Sequence, residues 1–103
     1  MKVSIMKVSI IEDKLIDLSE RYGEILPKFI LAEQNYLLRR AELMMQQSGF
    51  ATQVLRDAEV QRLIIETPEY IEYFKLLPEK MIIDRQIQIW TKLAQLITFG
   101  NSQ

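Results

Sequence analysis

The chain contains no cysteine and no histidine. Their absence removes disulfide frameworks, thiol and Ser-His nucleophiles, zinc fingers and the carboxylate-histidine di-iron sites of helical bundles. Glycine and proline are scarce, three of each in 103 residues, which argues against a turn-dense sandwich or barrel and against a disordered tract. No charge sign dominates: 13 basic against 14 acidic residues leave a net charge of -1, so nothing global draws the chain to DNA or to an anionic membrane. Long apolar runs are missing too. The longest, Phe29–Ala32, has four residues, whereas a bilayer span needs about 20 and the core of a secretory signal ~7–15. The expectation is one cytoplasmic domain without a membrane partner.

What the chain has instead is helical periodicity. Its first ten residues repeat Met-Lys-Val-Ser-Ile, as Met1–Ile5 and again as Met6–Ile10. The internal methionine points to Met6 as the native start, with the first copy an addition. Residues 1–10 therefore read as a duplicated, flexible N-terminus, 11–99 as a single helical domain and 100–103 as a tail. Ser9 and Glu12 have the spacing of a capping box, in which hydroxyl and carboxylate each satisfy an open amide at a helix start. From there an apolar stripe runs through Ile11, Leu15, Leu18, Tyr22, Ile25, Phe29, Ala32 and Tyr36 in alternating steps of four and three, with Leu43 further on. This is a 3.5-residue rhythm, the mark of a long helix packed along a narrow seam. Arg39 interrupts it. Pro27 sits inside the segment and costs ~3 kcal/mol in an unrelieved helix, yet the stripe keeps phase across it. One helix kinked near Pro27 and Gly23 is expected, ending near Gln47 with a left-handed cap from Ser48-Gly49.

After that turn Thr52 can cap a second helix, with Val54, Ala58 and Ile65 on its apolar side and Leu55, Leu63 and Ile64 widening it. Thr67-Pro68-Glu69 is a restart signal, combining a capping hydroxyl, a proline at the first helical position and an acid in the first turn. Tyr70, Ile71, Phe74, Leu76 and Leu77 follow, Pro78 breaks or kinks the run, and Ile83, Ile87, Trp90, Ala94 and Ile97 resume it in steps of four and three up to Phe99-Gly100. The fold class is all-α. The expected architecture is an antiparallel helical hairpin whose second arm is segmented at Pro68 and Pro78, assembling into a helical bundle. Both arms carry apolar residues beyond one seam, among them Ile30, Leu37, Leu38 and Met45 on the first and Met81, Ile82 and Ile89 on the second. Contiguous exposed apolar surface marks a partner. A homo-oligomer and a further protein partner are both expected, with Phe29, Tyr36, Ile83, Ile87 and Trp90 as candidate interface residues.

The chemistry is mostly excluded. Glu66, Glu69 and Glu72 share a helix face, as do Asp17, Glu20 and Glu24, and carboxylates so placed can hold magnesium for phosphate chemistry. All-helical nucleotide pyrophosphohydrolases use Glu-x-x-Glu followed by Glu-x-x-Asp; Glu69 and Glu72 supply the first half, and no Glu-x-x-Asp exists in the chain. Solvated acidic faces are the simpler reading. The glycines, at 23, 49 and 100, form no phosphate cradle, and no serine has a histidine to activate it. No catalytic, metal or cofactor-binding residue is assigned, no cofactor is implied, and the chain reads as no enzyme. Arg39, Arg40, Arg56 and Arg62 fall near the hairpin tip among glutamines and Asn35. They are the candidate contacts for a partner or for single-stranded nucleic acid, against a solvated face neutralised by Glu33, Glu42, Asp57 and Glu59.

The stretch from Leu31 through Tyr36, Arg39, Arg40 and Glu42 to Gly49, Thr52 and Asp57–Val60 resembles small helical proteins of bacteriophage early and recombination regions. Those have an Ala-Glu and Tyr-rich helix, a short Gly/Thr turn and a second helix opening with charged residues and alanine. The resemblance spans about residues 12–97 and implies a non-enzymatic accessory scaffold in DNA recombination or replication. The three prolines and the apolar C-terminal arm depart from it. A small inhibitor or adaptor, binding a host protein through the acidic faces at 17–24 and 66–72, is the alternative.

Overall fold

The seven-residue rhythm of the first half folds as one helix, α1 (Ile5–Gln46), followed by α2 (Gln53–Ile64) and α3 (Pro68–Asn101). The structure is a computed structural model that describes residues 5–47, 49 and 52–101, and among these there is no strand. Side chains are described from 8 to 98 within that range. The chain falls into two compact units, one holding α1 up to Leu26 with α3 from Glu79, the other Pro27–Pro78.

In the first unit Ile11, Leu18, Ile25 and Ile83 are buried, and Leu15, Tyr22, Ile87, Trp90, Ala94 and Ile97 are half-buried beside them. These are the expected seam residues of both arms. In the second unit Phe29 and Ala32 of α1 pack with Leu76 of α3, flanked by Tyr73 and Leu77. Further along, Leu43 packs with Val60 and Ile64 of α2, flanked by Tyr36, Met44, Leu63 and Tyr70. Phe29 meets Tyr73 while Tyr36 meets Tyr70, so α1 and α3 run antiparallel here.

Several local expectations are corrected. α1 already starts at Ile5, so Ser9 and Glu12 lie inside it and form no capping box. Ser48 lies outside the described residues, and Gly49 does not have a positive φ, so it supplies no left-handed cap. Instead the Gln47 amide is shared between the carbonyls of Leu43 and Met44, at 3.1 and 3.3 Å, which tightens the last turn. Helix α3 is not segmented at Pro78 but runs through it, as α1 runs through Pro27. Both prolines are exposed, so water can reach a backbone carbonyl left without its amide. Buried neighbours on either side, Ile25 with Phe29 and Leu76 with Ile83, hold the helical phase.

On α2 the apolar side is only partly the expected one: Ile64 and Leu63 lie against α1, joined by Val60. Val54, Ala58 and Ile65 are exposed, while Val60 and Ile64 are fully buried. The helix is anchored by its second half, because that half lies against Leu43 of α1. The break before α3 is where expected. Thr67, buried itself, donates its hydroxyl to the Ile64 carbonyl at 2.6 Å and accepts from the Tyr70 amide at 3.3 Å.

Candidate functional site

Three features of the Pro27–Pro78 unit are candidates: the arginines, the aromatic cluster between α1 and α3, and the apolar residues left outside both cores. Each arginine hydrogen-bonds within about one turn of its own helix, and Arg40 also reaches α2. Arg39 pairs with Glu42 at 3.0 Å, one turn on along α1. Arg40 donates to the Tyr36 hydroxyl at 3.2 Å and to Gln61 of α2 at 3.4 Å. Arg56 donates to Gln53, and Arg62 makes two hydrogen bonds to Glu59, the longer 3.0 Å. Arg39 lines a cleft with Glu69 of α3, whereas its neighbour Arg40 reaches α2. Two adjacent helix positions point about 100° apart, so Arg39 and Arg40 leave α1 in different directions.

The Arg62 hydrogen bond, helped by its charge, holds the Glu59 carboxyl below the ordinary glutamate range and raises the Arg62 guanidinium in turn. Such a pair neutralises a charge that phosphate recognition would need free.

Aromatic residues fill the α1–α3 interface. The Tyr73 ring stacks between Tyr36 and Phe29, at centroid distances of 4.9 and 5.5 Å, and Phe74 meets both tyrosines edge-on. The Tyr73 hydroxyl donates to Glu33 at 3.3 Å. The Tyr36 ring is thus packed against three aromatic residues of α3, Tyr70, Tyr73 and Phe74.

The five residues marked as an oligomer interface lie mostly in the cores: Phe29 and Ile83 are buried, and Tyr36, Ile87 and Trp90 are half-buried. The apolar surface that stays outside is a different set, on the helix faces opposite the seams. Leu31, Leu38 and Met45 of α1 recur every seven residues and are more than half exposed, with Ile30 and Leu37 beside them. On α3 of the other unit, Ile82, Ile89, Leu93 and Leu96 form a second exposed stripe. The periodicity that located the seams contained these residues too, one register over.

The carboxylates do not assemble. Among the described residues no three acidic side chains are placed to hold a metal ion. Glu69 and Glu72 line an open cleft with Ala32, Asn35 and Pro68, and the Glu69 Oε2 is buried without a hydrogen-bond partner. No helix among the described residues is long and apolar enough to cross a membrane. No protein-family model matches the chain, and neither curated proteins nor solved structures yield a match.

Proposed function

We propose that this is a non-enzymatic helical interaction protein whose exposed apolar helix faces dock other protein chains, as a homo-oligomer and with a further protein partner. The observation that carries this reading is the seven-residue recurrence of exposed Leu31, Leu38 and Met45 outside a fully formed core. Scattered surface leucines need no explanation, whereas a stripe along one helix face leaves apolar area in water that association would remove. The absence of histidine, cysteine and a second acidic pair supports a binding rather than a catalytic role. The resemblance to phage early-region proteins gives the setting, an accessory scaffold in DNA recombination or replication, in the cytoplasm. With Arg39 and Arg62 paired to carboxylates, the nucleic acid would be met through the partner rather than by this chain.

A second reading, an inhibitor or adaptor using the acidic face at 66–72, is favoured by the unpartnered Oε2 of Glu69 beside Glu72. Photo-crosslinking residues placed singly at Leu38, Ile89 and Glu72, in cells of the native host, separate the two. Adducts from Leu38 or Ile89 support docking on the apolar faces. Adducts from Glu72 alone favour the acidic face, and adducts from none of the three sink both.

A further inference from the structure

Resting on that reading, we infer that the outward face of α1 in the Pro27–Pro78 unit receives a second copy of this chain, antiparallel and centred near Asn35. Leu31, Leu38 and Met45 each lie two residues after a seam residue, Phe29, Tyr36 and Leu43. Two residues turn about 200° around a helix, so these three lie on the outer flank of α1, away from Phe29, Tyr36 and Leu43 and about 100° or more from Ala32. Helix α2 leaves this face open, because it sits to one side, against Leu43, Met44 and Arg40. Seven residues are nearly two turns, so the stripe stays on one face over its ~21 Å length.

Charge placement selects both the occupant and its direction. Lys28, Asn35 and Glu42 are also seven residues apart and form one border of the stripe. All three are exposed, and among the described residues Lys28 has no ion-pair partner. A two-fold axis beside Asn35 brings Lys28 of each copy against Glu42 of the other and places the two Asn35 side chains together. On that border the two Asn35 amides can hydrogen-bond to each other across the axis, which favours this register. Glu42 uses Oε2 for Arg39, which leaves Oε1 for the incoming ammonium. The cleft this ammonium enters is lined by Asn35, Leu38, Arg39, Glu42 and Glu69, two carboxylates against one guanidinium, and the buried Oε2 of Glu69 lacks a partner.

The exposed stripe on α3 has the opposite property. Arg85 and Lys92 border Ile82, Ile89 and Leu96, and an antiparallel copy centred near Ile89 would set those like charges face to face. Self-pairing is therefore assigned to α1, and the α3 stripe is left for a different chain.

Sedimentation of the full chain across a hundredfold concentration range tests the face. A monomer–dimer equilibrium is expected, lost in the L31K/L38K variant, whose unchanged helical circular dichroism would verify that it still folds. A parent that stays monomeric overturns the inference. So does a dimer that survives L31K/L38K but dissociates with I89K/L96K. The register has its own test. Lys28→Glu and Glu42→Lys should each weaken the dimer on the order of tenfold, and the doubly reversed K28E/E42K should regain most of that loss. Because the chain lacks cysteine, Asn35→Cys gives a single thiol that a short bis-maleimide should link between copies. Dimers that neither respond to the charge swap nor crosslink at 35 overturn the antiparallel register. A monomeric parent whose Leu38 probe still captures another protein would sink this inference while leaving the docking reading intact.

Discussion

Tyr36 of α1 and Tyr73 of α3 lie nearly parallel, their ring planes 7° apart and their centroids 4.9 Å apart. Rings so close in angle at that separation are offset rather than eclipsed, the arrangement their quadrupoles favour. A double-mutant cycle of Tyr36→Ala and Tyr73→Ala should show a coupling of about 1 kcal/mol by urea denaturation. Tyr73→Phe, which removes the hydroxyl that donates to Glu33, should cost less than Tyr73→Ala. A coupling near zero would mean the stack contributes nothing beyond burial.

The Thr67 hydroxyl joins the end of α2 to the start of α3. Thr67→Ala should destabilise the protein by about 1–2 kcal/mol, since a capping acceptor and a buried donor are lost together. Thr67→Ser should retain most of that stability. Equal losses for both would assign the effect to the methyl group instead.

Ile64 and Ile65 are sequence neighbours with opposite surroundings, fully buried and 45% exposed. Ile64→Ala is expected to cost about 2–5 kcal/mol and Ile65→Ala less than about 0.5. Thermal melts of the two variants would check this, and equal shifts would place the α2 face elsewhere.

Glu59 should titrate below an ordinary glutamate in a carboxyl-detected NMR titration, because the Arg62 hydrogen bond favours its charged form. A depressed folded-state value adds stability above the unfolded value and loses it as pH falls through the folded one. This contribution is therefore complete at neutral pH and disappears in acid. Arg62→Gln should return Glu59 to the usual range, and added salt should move it part of the way. A midpoint unchanged by Arg62→Gln would show that the pair does not persist in solution.

Single-stranded DNA provides the remaining prediction. Four free arginines would give a salt slope of about three, at ~0.7 per phosphate. With Arg39 and Arg62 paired to Glu42 and Glu59, binding of an oligothymidylate should be too weak to measure at physiological salt. Neutralising both acids, E42Q/E59Q, should raise low-salt affinity. Tight binding by the parent, abolished by R39E/R40E, would restore the nucleic-acid reading.

Much of this was legible in the residues. The four-three rhythm from Ile11 to Leu43 marked the buried stripe of α1, because a long amphipathic helix buries one narrow face and the period records which. Thr52, Thr67 and Pro68 marked helix starts through local hydrogen-bond chemistry that needs no distant partner. The capping box at Ser9 failed because a cap signal is short and is outvoted where the helix continues past it. The break at Pro78 failed for a related reason. The cost of an interior proline is local, whereas the packing of Leu76 and half-buried Leu77 against Phe29 and Ala32, which helps hold α3 together, depends on α1.

The arginines and the apolar faces mark the boundary most clearly. Sequence alone determined an all-helical chain, its seam residues and most of its helix starts, since these follow from periodicity and nearest-neighbour chemistry. Only the tertiary structure decided which side of α2 is buried and how each arginine is engaged. It also decided which leucines are spent in the core and which are left facing water. Those outcomes depend on the rotation of each helix about its own axis, which packing against the other helices sets and no local pattern encodes.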